Sequence, residues 1–351
     1  MTSVVSELVK KEQYILRSTF FYQRLKNDGF FGMFKEIEKL DSLEGGKLDW
    51  SDRGKWGISE DAWSIISDSS ISPMLLFAHP KIIRLYPAFL KYYRCVAMLP
   101  LKGFSAISHI SGIDKIENGK LPSGQIDNAK LFKLISILNE FVSLIVNLSS
   151  GMDKNEINGM MYATAGAFID GSWRNQIGSE GERVIRTIIL KGLLSYDDVS
   201  SIVNRDNKVV SIAEMDISKI TDDISQVKTI NLSNGYSVLF SSEPDVSMYD
   251  NKGDIVGIIE IKSGLDPAGA LERLGAMFKS FENTLAEFPE AVTILVISCV
   301  TEEVRKRLDA SMVVRQRYLT SDITANDSDK RKFVNRMRSI MKLDKKRVPE
   351  V

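Results

Sequence analysis

Glu243-Pro244-Asp245-Val246-Ser247-Met248-Tyr249-Asp250-Asn251-Lys252-Gly253-Asp254-Ile255-Val256-Gly257-Ile258-Ile259-Glu260-Ile261-Lys262-Ser263 is the stretch whose reading decides the fold. Val246 and Met248 alternate with polar neighbours, Asp250 to Asp254 holds a glycine-containing turn, and Ile255 to Ile261 is a run rich in β-branched residues. That pattern predicts a β-hairpin. Asp245 then stands near the start of one strand, with Glu260 and Lys262 near the end of its partner. Strand side chains alternate with a period of two, so Glu260 and Lys262 share a face while Ile261 points into the core between them. The hairpin thereby gathers two carboxylates and an amine.

A hard divalent cation such as Mg²⁺ suits this set, because one or two carboxylates hold it while water and substrate phosphate oxygens complete its octahedron. A lysine beside the metal-bound water can orient it or help deprotonate it, and its charge offsets the negative charge that develops on a phosphate. The chemistry expected is metal-assisted phosphodiester hydrolysis.

Pro244-Asp245 followed by Glu260-Ile261-Lys262 resembles the PD-(D/E)xK signature of the nuclease superfamily that contains most type II restriction endonucleases. The order of elements adds to the resemblance: a helical stretch from Gly178 to Leu194 precedes the hairpin, and a helix and an apolar strand follow it. The resemblance implies an α/β fold with a restriction-endonuclease-like αβββαβ core and a mostly helical N-terminal region. It implies Asp245, Glu260 and Lys262 as catalytic residues, with Asp245, Glu260 and Ile261 at Mg²⁺. It also implies double-stranded DNA as substrate, a homodimer acting on a twofold site, and a cognate DNA methyltransferase as functional counterpart. Two other readings stay open: a repair or recombination nuclease on the same core, and a noncatalytic DNA-binding protein that keeps the fold.

Around this motif the composition is that of a globular protein of 351 residues with 46 basic and 46 acidic side chains, a formal net charge of zero. A chain with no net charge does not coat nucleic acid through bulk electrostatics, so phosphate attraction must be local. From Glu302 to Arg347 the chain concentrates Lys and Arg, among them Arg305, Arg315, Lys330 and Arg338; this is either a solvated helical face or a phosphate-contacting surface. Cys95 and Cys299 lie in apolar segments far apart and are expected as buried free thiols of a reducing compartment. His79 and His109 are too few and too isolated for a zinc site or a nucleophilic triad. No apolar run approaches a membrane span, and Met1 to Glu7 lacks the layout of a signal peptide, so cytoplasmic residence is expected.

Residues 1–150 read as a helical DNA-recognition region and residues 151–351 as the catalytic domain with a basic tail, with Ser149-Ser150-Gly151 as the joint. Val4, Leu8, Ile15 and Leu16 suggest an opening amphipathic helix. Trp50, Trp56 and Trp63 cluster and are read as core anchors rather than base-stacking residues. Pro73, Pro80, Pro87 and Pro100 cut the following segment into short helices. Within it, His79-Pro80, Pro87 through Tyr92-Tyr93-Arg94, and Leu99 to Gly103 also resemble a segment of some type II restriction enzymes; Tyr93 and Arg94 are the expected DNA contacts there.

In the second part, Gly171 to Arg174 is read as a break, after which Ser179 caps a helix with Ile185 and Ile189 on its apolar stripe. Superfamily members often carry a glutamate on this helix, which points to Glu182 ahead of Glu180; both could instead be favourable first-turn acids. Val199 to Leu232 reads as a solvated insertion around Asp216, Asp222 and Asp223, with Val209 to Ile212 as one strand. Asp266 and Pro267 mark a helix start beyond Lys262, where Arg273 is expected to contact DNA and the small residues Ala268, Gly269, Gly275 and Ala276 imply close packing or a close approach of something to the helix backbone. Val292 to Val300 is read as the sheet's last strand.

Overall fold

The hairpin lies within a mixed sheet whose strands are β1 (Val199–Asn204), β2 (Val209–Ser211), β3 (Val227–Leu232), β4 (Ser237–Phe240), β5 (Val246–Tyr249), β6 (Ile255–Lys262), β7 (Val292–Ile297) and β8 (Gln316–Leu319). The computed structural model describes residues 7–120, 126–149, 151–214, 217–264 and 269–343. Val4, Ser150, Asp216, the Asp266–Pro267 helix start, Ala268 and the end of the basic tail (Lys345, Lys346, Arg347) lie outside the described residues. In spatial order the strands run β2-β1-β3-β4-β5-β6-β7-β8. Neighbours are antiparallel as far as β6, while β6-β7 and β7-β8 are parallel.

The chain divides into two compact units, Lys11–Trp173 and Arg174 onward. The first is helical: α1 (Glu7–Asn27), α2 (Phe30–Glu44), α3 (Glu60–Ser67), α4 (Pro80–Leu85), α5 (Leu90–Val96), α6 (Leu101–Ser108), α7 (Ile113–Glu117) and α8 (Asn128–Leu148) precede α9 (Lys154–Ser195). Pro80 opens α4 and Pro100 immediately precedes α6, while Pro73 and Pro87 each begin a 3₁₀ turn, so each proline starts a piece of helix rather than interrupting one. Trp50, Trp56 and Trp63 pack half-buried against this unit's core, with the His79 ring 4.8 Å from that of Trp50 and 4.7 Å from that of Trp56. The expectation that no segment approaches a membrane span meets one exception among the described residues, α8, long and apolar enough to cross a bilayer. Its Leu131, Leu134, Leu138 and Val142 are fully buried in the unit's core, which accounts for that apolarity.

The expected helix break at Gly171 to Arg174 is absent. One helix, α9, runs unbroken from Lys154 to Ser195 and crosses the boundary between the units. A glycine costs a helix about 1 kcal/mol relative to alanine. Burial of Ile157, Met161 and Ala165 before the break, and of Ile185, Ile189 and Leu193 after it, outweighs that cost. Ser179 is therefore not a cap, and Glu180 and Glu182 are not first-turn acids. The two units divide at Trp173/Arg174, within α9.

In the second unit, β4 to β6, followed by α11 (Ala270–Glu287) and β7, form the αβββαβ core with the later part of α9. Val199 to Leu232 is not merely a solvated insertion: β3 and β1 extend the sheet beyond β4, with β2 at its edge and α10 (Ile217–Asp222) between β2 and β3 in the chain. β7 is not the last strand either, because β8 pairs beyond it after α12 (Glu302–Asp309); α13 (Thr320–Ala325) and α14 (Asp327–Ile340) complete the unit. The period of two in β6 sorts its side chains onto two cores. Ile259 and Ile261 pack with α9 and α14, while Ile258 packs with Leu274, Met277 and Phe281 of α11.

Candidate active site

Residues of the same parity in β6 share a face, so Glu260 and Lys262 follow Ile258 onto the side covered by α11. On β5, Val246 and Met248 belong to the α9 side, which turns Asp245 and Ser247 toward α11. Asp245 and Glu260 are only 5% and 4% exposed, an environment a carboxylate tolerates only when paired. Lys262 Nζ supplies the pairing, 2.5 Å from Glu260 Oε2 and 3.5 Å from Asp245 Oδ2. Asp245 Oδ2 also accepts from Ile261 N–H at 2.7 Å, and Glu260 Oε1 accepts from Ser280 Oγ of α11 at 2.7 Å.

The backbone takes part too. Ser298 N–H donates to the Lys262 carbonyl on the β7 side. Backbone groups alternate along a strand, so the Ile261 carbonyl faces the opposite side, the one on which its N–H meets Asp245. Asp245 and Glu260 thus converge on Lys262, and the Ile261 carbonyl lies on the edge of β6 that faces Asp245.

The acid and its turn are held from α9. Arg186 Nη2 donates to Glu182 Oε2 at 2.8 Å, to the Ser241 carbonyl at 2.7 Å and, at 3.4 Å, to the Asp245 carbonyl. Glu182 is close enough to Asp245 to disfavour its ionisation, whereas Glu180 pairs with Arg183 on an exposed part of the helix. Of the two acids, Glu182 is the one the fold brings to the cluster.

Burial pushes the Asp245 carboxyl up from its usual range, and the Lys262 charge and Ile261 N–H only partly oppose it. Burial likewise raises Glu260, with Asp245 adding to the effect against Lys262. Burial would lower Lys262, but the two carboxylates outweigh it and raise its pKa. Two buried carboxylates share a single ammonium, and the resulting excess negative charge is the condition that a cation relieves. Among the described residues no three Asp, Glu, His or Cys side chains gather as a metal cage. An all-oxygen donor set of carboxylates and a carbonyl fits a hard divalent ion better than zinc.

The expected DNA contacts fare differently. Arg94 and Tyr93 are buried in the helical unit: Arg94 Nε and Nη2 grip both oxygens of Glu117 at 2.6 and 2.8 Å, Nη1 reaches the Leu99 carbonyl at 2.8 Å, and Tyr93 OH donates to the Met74 carbonyl at 2.8 Å. With their donors spent inside the core, neither is placed to touch DNA, which corrects that expectation. Arg273, in the first turn of α11, donates to the Gly264 carbonyl just beyond β6 at 3.3 Å. Gly275 and Ala276 are exposed, with open space around Gly275, so among the described residues nothing packs closely there. In the basic tail, Lys306, Arg317, Lys330 and Lys332 pair with nearby carboxylates, and Arg338 forms a buried pair with Asp198 at 2.5 Å.

The XcyI restriction endonuclease family matches residues 61–343, most of the chain and all of the cluster. The chain belongs to that family. It is thus a nuclease of the type II restriction class, a DNA-binding hydrolase of restriction-modification, and the XcyI-family match extends from α3 to the end of α14. Restriction endonuclease families generally use a divalent metal. No curated protein matches the chain. Ser280, Arg186 and Gly181, which packs against Ser263, went unnoticed in the sequence; only Arg186 carries a local signal, its position one helical turn after Glu182.

Proposed function

We propose that this XcyI-family chain is a sequence-specific endonuclease that hydrolyses both strands of a short double-stranded DNA site with Mg²⁺, acting as a homodimer beside a cognate DNA methyltransferase. The observation that carries the site assignment is the convergence of buried Asp245 and Glu260 on Lys262. Asp245, Glu260 and the Ile261 carbonyl would hold the ion. When bound, Mg²⁺ supplies Lewis-acid polarisation of the phosphate and a more acidic water. Lys262, held as an ammonium, orients the attacking water and offsets the charge growing on the phosphate. Glu182, fixed by Arg186, acts as a further carboxylate at the edge of the cluster. Arg273, at the start of α11 beside the end of β6, contacts the DNA backbone. Discrimination between sites resides in the helical unit, whose surface rather than its buried Tyr93 and Arg94 would read base edges.

The test is to incubate the purified full-length protein with plasmid DNA and Mg²⁺ and to sequence the fragment ends. Cuts recurring at one short twofold-symmetric sequence are expected. An intact plasmid, or ends scattered without a common sequence, would overturn the reading.

A further inference from the structure

A side chain at residue 181 has no space. A Cβ added to Gly181 would lie 1.7 Å from Ser263 Oγ and 2.1 Å from Ser263 Cβ, separations that packed atoms do not tolerate. The Ser263 Cα, at 3.6 Å, is in ordinary contact, so the obstruction is the serine side chain and not the strand backbone. Of the other glycines on α9, Gly159, Gly166, Gly171 and Gly178 have open space where a Cβ would sit, whereas Gly192, far from the cluster in the chain, is closed off by Val334 of α14.

Both partners adjoin the cluster. Gly181 precedes Glu182, and Ser263 follows Lys262. Ser263 is 8% exposed, and its Oγ has no hydrogen-bond partner among the described residues. A buried hydroxyl without a partner is unfavourable, so its own bonding does not explain the contact. Nor does helix propensity explain the glycine, since alanine is the better helix former.

We propose that Gly181 is a positioning residue: its missing side chain lets α9 close against the end of β6, which sets the distance from the Glu182 carboxylate to Asp245 and Lys262. The inference rests on the assignment of that cluster as the cleavage site. A Cβ at residue 181 would act as a wedge that moves Glu182 and the ammonium apart without removing either.

The experiment compares the full-length wild type with Gly181→Ala, Ser263→Gly, the double variant, and Gly178→Ala as control. Melting temperature, DNA affinity in chelator and single-turnover cleavage of plasmid with Mg²⁺ are measured for each. Displacement of a catalytic group by an ångström can cost about a hundredfold in rate, and Gly181→Ala is expected to lose cleavage on that scale while keeping its DNA affinity. Ser263→Gly, which removes the obstructing atoms, should restore most of the lost rate in the double variant, and Gly178→Ala should cut like the wild type. Wild-type cleavage by Gly181→Ala, or a loss that Ser263→Gly fails to reverse, overturns the proposal. A melting temperature that falls in Gly181→Ala and recovers in the double variant, with cleavage unmoved throughout, marks the contact as packing alone and overturns it too. A wild type that cuts no DNA refutes the site assignment itself and takes this inference with it.

Discussion

Ser280 of α11 donates a hydrogen bond of 2.7 Å to Glu260 Oε1, which leaves Oε2 to Lys262. The two oxygens of one buried carboxylate are thus held from opposite sides of the α11–β6 interface. Ser280→Ala strips a partner from a buried charged group, a change that costs about 1–3 kcal/mol. Chemical denaturation should show a loss of that size, and single-turnover cleavage should slow with DNA affinity kept, because the carboxylate is then free to rotate.

Asp245→Asn and Glu260→Gln keep shape and remove charge. If these carboxylates hold the divalent ion, either variant should lose cleavage of plasmid DNA while still shifting a DNA duplex on a gel. Chelator added to the wild type should reproduce the variants, and Mg²⁺ in excess should reverse it. Full cleavage by either purified variant would refute the metal assignment.

Lys262→Arg tests whether position matters beyond charge. The guanidinium keeps its proton and spreads its charge over a planar fork, whereas Lys262 Nζ is a point charge 2.5 Å from Glu260 Oε2. The arginine variant should cut nearly as poorly as Lys262→Ala. Turnover close to wild type would rule out a positional role.

Arg94→Ala is expected to act on stability and not on site choice. Removing the guanidinium leaves Glu117 charged and alone in the helical core, a loss of about 3–5 kcal/mol for a buried pair broken on one side. Paired replacement by Arg94→Met and Glu117→Leu should recover much of it. A cleavage-site profile altered in a variant of normal stability would return Arg94 to the DNA interface.

His79 makes a pH prediction. Its Nδ1 accepts from Lys81 N–H at 3.1 Å while Nε2 faces the Asp49 carbonyl at 3.0 Å, so the neutral ring with its proton on Nε2 satisfies both. Burial holds its pKa below the usual 6.5. The unfolded chain then takes up a proton before the native one does, so this contribution to stability is complete above about pH 6.5 and is lost as pH falls toward the lower folded value. His79→Asn keeps an acceptor at the α4 cap and cannot titrate. The difference in unfolding free energy between wild type and variant should shrink as pH falls from 7.5 to about 5.5, within a pH range set by the ordinary histidine pKa. A constant difference across that range would contradict it.

The β5–β6 hairpin was legible because its signals are local. Alternation at Val246 and Met248 and a tight turn fix the strands, with Gly253 at φ 91° and the Asp250 side chain accepting from Lys252 and Asp254 N–H. Two-residue periodicity alone then places Glu260 and Lys262 on one face. Strands β1, β3 and β8 were not legible, since their partly exposed, polar-interrupted segments gain strand character only from the neighbours they pair with.

By itself, then, the sequence determined the hairpin, the acid–acid–lysine set and the helical character of the first part, all of which follow from residue type and spacing within one element. Tertiary structure alone decided the rest. Arg94 is expected at DNA until Glu117 is folded against it, and α9 reads as broken until both its halves are packed. The Ser280–Glu260 bond and the Gly181–Ser263 contact join elements distant in the chain. Such contacts depend on how closely two elements approach, a quantity that core packing sets and that no local pattern encodes.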